Sequence, residues 1–167
     1  MAELGQQERL QPSLLDRLTD DAPGEQQESR EQRVLSLRRL RECVLRDLGW
    51  LFNTVNLAVR QRFEEAPLAE QSVINYGMPD LTGRTSTGVD LQGIERQLRT
   101  AILNFEPRIL RNSVKVKVHV DPDRMSHNAM VFEIQGELWA QPVPVQLYLK
   151  TELDLETGNI NVAEYLG

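Results

Sequence analysis

Cysteine is the rarest reactive side chain in the 167-residue sequence, and Cys43 stands alone. A single thiol cannot close an internal disulfide, so the sequence reads as that of a reduced, cytoplasmic protein. Histidine is nearly as scarce. His119 falls on the polar side of a strand pattern and His127 lies between Ser126 and Asn128. Neither stands at ligand spacing from another metal-binding side chain, so no metal site is expected and both read as surface residues. Long apolar runs are missing too. Nothing approaches the roughly 18–20 residues that a membrane-spanning helix needs. The opening MAELGQQERL lacks the basic and apolar regions of a secretory signal. The glycine-rich phosphate loops, HExxH, CxxC and GxSxG are all absent, so no cofactor and no familiar catalytic motif is expected. Positive charge is in deficit: 19 bases against 25 acids give a net charge of −6. That balance excludes a general nucleic-acid binder, which needs clustered basic residues to neutralise phosphates.

What the sequence does contain is unevenly placed. Residues 1–32 carry eight acids and three bases, so the remainder is nearly neutral. Only Lys115, Lys117 and Lys150 are lysines, and the other 16 bases are arginines. Arginine's planar fork suits paired carboxylates in partly buried settings, which hints at protein interfaces. Residues 1–30 read as a flexible acidic tail, too poor in large apolar residues to offset chain entropy. Within it, PSLLDRL at 12–18 forms an exception. Pro12 and Ser13 mark a helix start, Asp16 stands three residues later as a capping partner, and Leu14, Leu15 and Leu18 make one apolar stripe. Such a helix either lies on its own domain or enters a partner's groove as a leucine anchor.

Residues 31–167 read as one α+β domain. The spacing of Val34, Leu37, Leu40, Val44 and Leu48 predicts a helix over 31–62, with Gly49 bending or ending it. Over residues 30–46 six arginines, among them Arg38 and Arg39, face two glutamates, which is either a solvated helix face or a surface for an acidic partner. Residues 72–88 are irregular, punctuated by Gly77, Pro79, Gly83 and Gly88. A second helix is predicted over 89–104, capped by Asp90 or Thr87 and stopped at Glu106-Pro107. Three alternating runs beginning at Ser113, Met130 and Val145, and a short last run INVAE, predict strands. One apolar face and one wet face imply a mostly antiparallel sheet with the two main helices on one side, and the short final strand suits an edge.

Glu106-Pro107-Arg108 is the most unusual local feature: a rigid proline between opposite charges at a helix end. Three readings stand. It forms an exposed turn with a weak ion pair. Or a partner covers both charges and supplies complementary groups. Or Glu106 is a general acid for glycoside hydrolysis, with Asp80 or Asp90 as the second carboxylate at about 5–10 Å.

Four pieces in order, PSLLDRL at 12–18, LRDLGWLFNT at 45–54, SVINYGMPDLTG at 72–83 and AILNFEPRIL at 101–110, followed by the valine-alternating strands, give the chain a specific resemblance. It resembles the TssE family of bacterial type VI secretion baseplate subunits, within the phage baseplate-wedge group once labelled lysozyme-like. The resemblance spans nearly the whole chain, with Gly49 and Phe52 as departures where a charged residue and a leucine are expected. It implies a structural role, not hydrolysis: a cytoplasmic, membrane-docked baseplate wedge containing TssF, TssG and TssK, and a template for the first ring of the contractile sheath. The family's signature falls on Glu106, Pro107 and Arg108, implied to contact the wedge's helical core. With the leucines Leu14, Leu15 and Leu18 and the arginines Arg38 and Arg39, these form the expected partner-binding set. The rival expectation is a peptidoglycan-cleaving hydrolase.

Overall fold

The computed structural model describes residues 13–19, 23–24, 37–80, 90–120, 129–140, 144–154 and 157–164. Helix α1 spans Leu14–Leu18, and the Ser13 hydroxyl caps it as the sequence suggests, accepting the Asp16 N–H at 3.3 Å and donating to the Asp16 carboxylate at 2.6 Å. Helix α2 spans Leu37–Phe52 and buries Leu40, Cys43, Val44, Leu48, Leu51 and Phe52. It runs through Gly49 and stops ten residues short of the expected end at 62. The reason is local: the Asn53 carboxamide folds back to the Gly49 carbonyl at 2.7 Å, and the Thr54 hydroxyl to that of Trp50, also at 2.7 Å. Short polar side chains compete in this way for carbonyls at a helix end. The part of the expected helix at 31–36 lies outside the described residues.

From Asn53 the chain crosses two single turns of 3-10 helix, Leu57–Val59 and Val73–Asn75, and a short helix α3 at Pro67–Glu70. This stretch is tied down by main-chain bonds between Met78 and the 54–56 segment, from Met78 N–H to Thr54 O at 2.7 Å and from Asn56 N–H to Met78 O at 2.9 Å. Gly77 makes that approach possible. Its φ is +121°, and a Cβ there would collide with the Thr54 carbonyl.

Helix α4 spans Leu91–Phe105. Asp90, one of the two cap candidates, caps it, its carboxylate accepting the Gly93 N–H at 2.8 Å, and Thr87, the other, lies outside the described residues. The four strands β1 (Lys115–Val120), β2 (Ala129–Leu138), β3 (Val145–Asp154) and β4 (Ile160–Glu164) form an antiparallel meander in the order β1-β2-β3-β4. The expected α+β class is therefore the observed one, and the last strand is an edge. Alternation places Met130, Phe132, Ile134 and Leu138 of β2 and Leu147, Leu149 and Leu153 of β3 in the core, against α2 and α4. Thr151 interrupts that apolar row and is fully buried, but its hydroxyl donates to the Phe132 carbonyl at 3.1 Å, so burial leaves nothing unsatisfied.

Candidate functional site

The corner after α4 is built by its sequence. Glu106 closes the helix, its N–H still donating to the Ile102 carbonyl, and Pro107 cannot extend it. The next residues are then zipped onto the end of β2: Trp139 N–H donates to Arg108 O at 2.7 Å, and Leu110 N–H to Glu137 O at 2.8 Å. With the backbone fixed on both sides, the Arg108 guanidinium folds over the Glu106 carboxylate. Nε donates to Oε1 at 2.7 Å and Nη2 to Oε2 at 2.5 Å, while the Arg108 N–H adds a third bond to Oε1 at 3.1 Å. Glu106 is only 3 % exposed, so this bidentate pair stands largely out of water.

The pair is one end of a longer chain of charges. Arg108 Nη2 also donates to Asp47 Oδ2 at 2.5 Å. Asp47 Oδ1 accepts from its neighbour Arg46 at 2.9 Å, and Arg46 Nη1 donates to Asp16 Oδ1 at 2.6 Å. Glu106, Arg108, Asp47, Arg46 and Asp16 thus alternate in sign from the corner, across α2, to the tail helix α1. The Arg46 guanidinium also lies 5.0 Å above the ring of Trp50. Tyr76 packs edge-on against Phe105 at 5.3 Å and donates weakly to the Asp47 carbonyl at 3.4 Å.

Titration follows from these contacts. Burial alone would raise the Asp16 carboxyl, but the bonds from Arg46 and Ser13 outweigh it and hold its pKa at about 2. Burial opposes the charge on Arg108, yet the Glu106 and Asp47 carboxylates overcome it and raise the guanidinium above its ordinary value. Burial pushes the Cys43 thiol up, and the Asp16 carboxylate beside it pushes further the same way. Burial likewise raises Tyr76, with Asp47 and Glu106 adding to it.

The structure brings together Glu106, Pro107 and Arg108 but completes their charges from within the chain, through Asp47. One donor is left over: Arg108 Nη1 is buried and has no hydrogen-bond partner among the described residues. The other expected residues lie elsewhere. Leu14 and Leu18 are 71 % and 75 % exposed, and Leu15 is exposed too, so α1 sits on the body by its polar side and turns its leucines outward. Arg38 and Arg39 are exposed at the start of α2, and both reach Glu42, at 3.0 and 3.9 Å. Asp47, Arg46 and Asp16 were missed as site residues. The available signal was the piece LRDLGWLFNT, whose Arg46-Asp47 pair is charged on an otherwise apolar stretch.

The two carboxylates that the sequence offered as partners for Glu106 sit in different places. Asp90 caps the far end of a 15-residue helix from Glu106, about 24 Å away along the backbone axis. Asp80 lines a cavity of about 240 Å³ with Phe52, Asn53 and Asn159. Among the described residues no group of three or more His, Cys, Asp or Glu side chains could hold a metal, and no helix is long and apolar enough to cross a membrane.

Comparison with curated proteins gives no match, and neither does comparison with solved structures. A protein-family model does match, that of the baseplate wedge protein gp25, over residues 38–143. That span runs from α2 to the loop after β2, and so contains Arg46, Asp47, Glu106 and Arg108. Within a family that is structural and assembles with other baseplate components, a fixed ion-pair corner is an assembly feature before it is a reactive one. The chain belongs to the baseplate wedge protein gp25 family.

Proposed function

We propose that this protein is a TssE-type wedge subunit of a type VI secretion baseplate, that it docks on TssF, TssG and TssK, and that it templates the first ring of contractile sheath. The observation that carries the reading is the corner itself. Glu106 is held in a bidentate pair out of water, and Arg108 Nη1 is buried with no acceptor among the described residues. A buried donor without an acceptor is unfavourable, and the part of the Arg108 side chain that remains exposed, 22 %, is where a carbonyl or carboxylate of a wedge partner meets the guanidinium. Glu106 and Asp47 then act as positioning groups that aim the guanidinium. The outward leucines Leu14, Leu15 and Leu18 supply a second, apolar contact, and the arginines Arg38 and Arg39 a third for an acidic neighbour. The sheet edge receives an extended strand of the sheath by main-chain pairing. The setting of such a complex is the cytoplasmic face of the membrane.

Arg108→Lys tests the corner. Lysine keeps the charge beside Glu106 and Asp47 but has no Nη1 and no fork. The variant is expected to fold, to lose most of its co-purification with the wedge proteins and to leave cells with few sheaths. Normal sheath frequency in cells carrying Arg108→Lys would remove the corner from the interface. Arg108→Ala is a poorer test, because it strands the buried Glu106 carboxylate and destabilises the chain by several kcal/mol.

A further inference from the structure

Strand addition leaves open which edge of the sheet receives the strand, and the two edges differ. In β1 the outward N–H of Val118 is taken by the Glu95 carboxylate of α4 at 2.9 Å. The carbonyl of Val114, just before the strand, is taken by Arg99 Nε at 3.2 Å. Alternation makes Val114, Val116 and Val118 the outward-facing residues of that edge. A carboxylate in the middle of the row repels the carbonyls of any arriving strand. Lys115 and Lys117 project beside it, the charged guards that protect natural edges.

At β4 the guard stands at the end of the row. The Asn53 carboxamide pairs with both main-chain groups of Ile160, accepting its N–H at 2.9 Å and donating to its carbonyl at 2.8 Å. A side-chain amide thereby occupies the place of the first peptide unit of a neighbouring strand. Alternation then turns the main-chain groups of Val162 and Glu164 outward, and no partner for them is present among the described residues. No lysine lies on β4. At its far end the Glu164 carboxylate meets Arg41 at 3.6 Å, which places this edge beside the first turns of α2. Those turns carry Arg38, Arg39 and Arg41, with Glu42 shared between the first two.

We infer that β4, from Val162 onward, is the edge that accepts the sheath strand, that Asn53 sets where pairing begins, and that the strand's flank at the Glu164 end is acidic. This rests on the strand-addition reading proposed above. The occupant is an extended segment of the sheath protein, held by main-chain bonds along Val162–Glu164 and by carboxylates facing Arg38 and Arg39.

Amide hydrogen exchange on the full chain, alone and mixed with the sheath protein of the same system, tests this. The Val162 and Glu164 amides are expected to slow at least tenfold in the mixture, with Val116 and Val118 unchanged. Val162→Pro removes an outward donor and should lower sheath capture at least tenfold. Val116→Pro, the same lesion on β1, should leave capture intact, and circular dichroism checks the fold of both. Slowing at Val116 with Val162 unaffected would overturn the edge assignment while leaving strand addition standing. Capture of the unaltered chain with no amide slowed on either edge would overturn strand addition itself. Replacing Arg38 and Arg39 by glutamate should weaken capture and reduce its salt dependence, and an unchanged salt dependence would remove the acidic flank.

Discussion

Asp16 decides where the tail helix rests. Its side chain is 5 % exposed, although it stands on a five-residue helix whose leucines face outward. A helix that short does not hold itself together, so its position depends on the pairs with Arg46 and Ser13. The Asp16 pKa is held at about 2 against an ordinary 3.8, so the docked state is favoured by the ionised form. Docking is therefore complete above the ordinary carboxyl pKa and is lost as the pH falls from about 4 toward about 2. Cys43 reports on it, because the thiol is 2 % exposed and lies against the Asp16 carboxylate. Reaction with dithiodipyridine, which works in acid, should accelerate through that window. Asp16→Asn should react faster than the parent at neutral pH and change far less between pH 4 and pH 2. Equal rates for the two proteins at pH 7 would mean that α1 does not shield the thiol.

The helices show how far local patterning reaches. Asp90 satisfies an orphan N–H at the start of α4, and Asp90→Ala should cost about 1 kcal/mol, seen as a lower midpoint in urea with an unchanged slope. An unmoved midpoint would show that solvent replaces the cap. This helix was legible end to end, because its apolar spacing, its cap and its proline stop agree. Helix α2, over its described residues, was legible except at its C-terminal end. Its apolar period ran on past Phe52, and what ends it is a pair of bonds from Asn53 and Thr54 that no periodicity reveals. The edge position of β4 was also readable from its shortness. Its guard was not, since Asn53 and Ile160 are 107 residues apart. The corner divides in the same way. Pro107 between opposite charges marked the place, but Asp47, 61 residues from Arg108, could be paired with it only by the fold.

Across the whole molecule, the alternating charges from Glu106 to Asp16 connect the corner, α2 and the tail in one line of short contacts. Each arginine in the line is shared between two carboxylates, and Asp47 is shared between two arginines. If Arg108 loosens its hold on Asp47, Arg46 gains a stronger claim on that carboxylate and a weaker one on Asp16. Tail and corner then respond to each other through Asp47 and Arg46, which stand between them. The expected outcome is that Arg108→Lys raises Cys43 reactivity at neutral pH several-fold, with no substitution in α1 or beside the thiol. Combined with Asp16→Asn, it should add less than the sum of the single effects, since the tail is already released; interaction energies in such networks run from about 0.5 to 3 kcal/mol. Strict additivity, or a thiol indifferent to Arg108→Lys, would reduce the line to separate neighbouring pairs. If a partner's acceptor engages Arg108 as proposed above, a coupled line gives a wedge subunit a physical means to change the presentation of its tail.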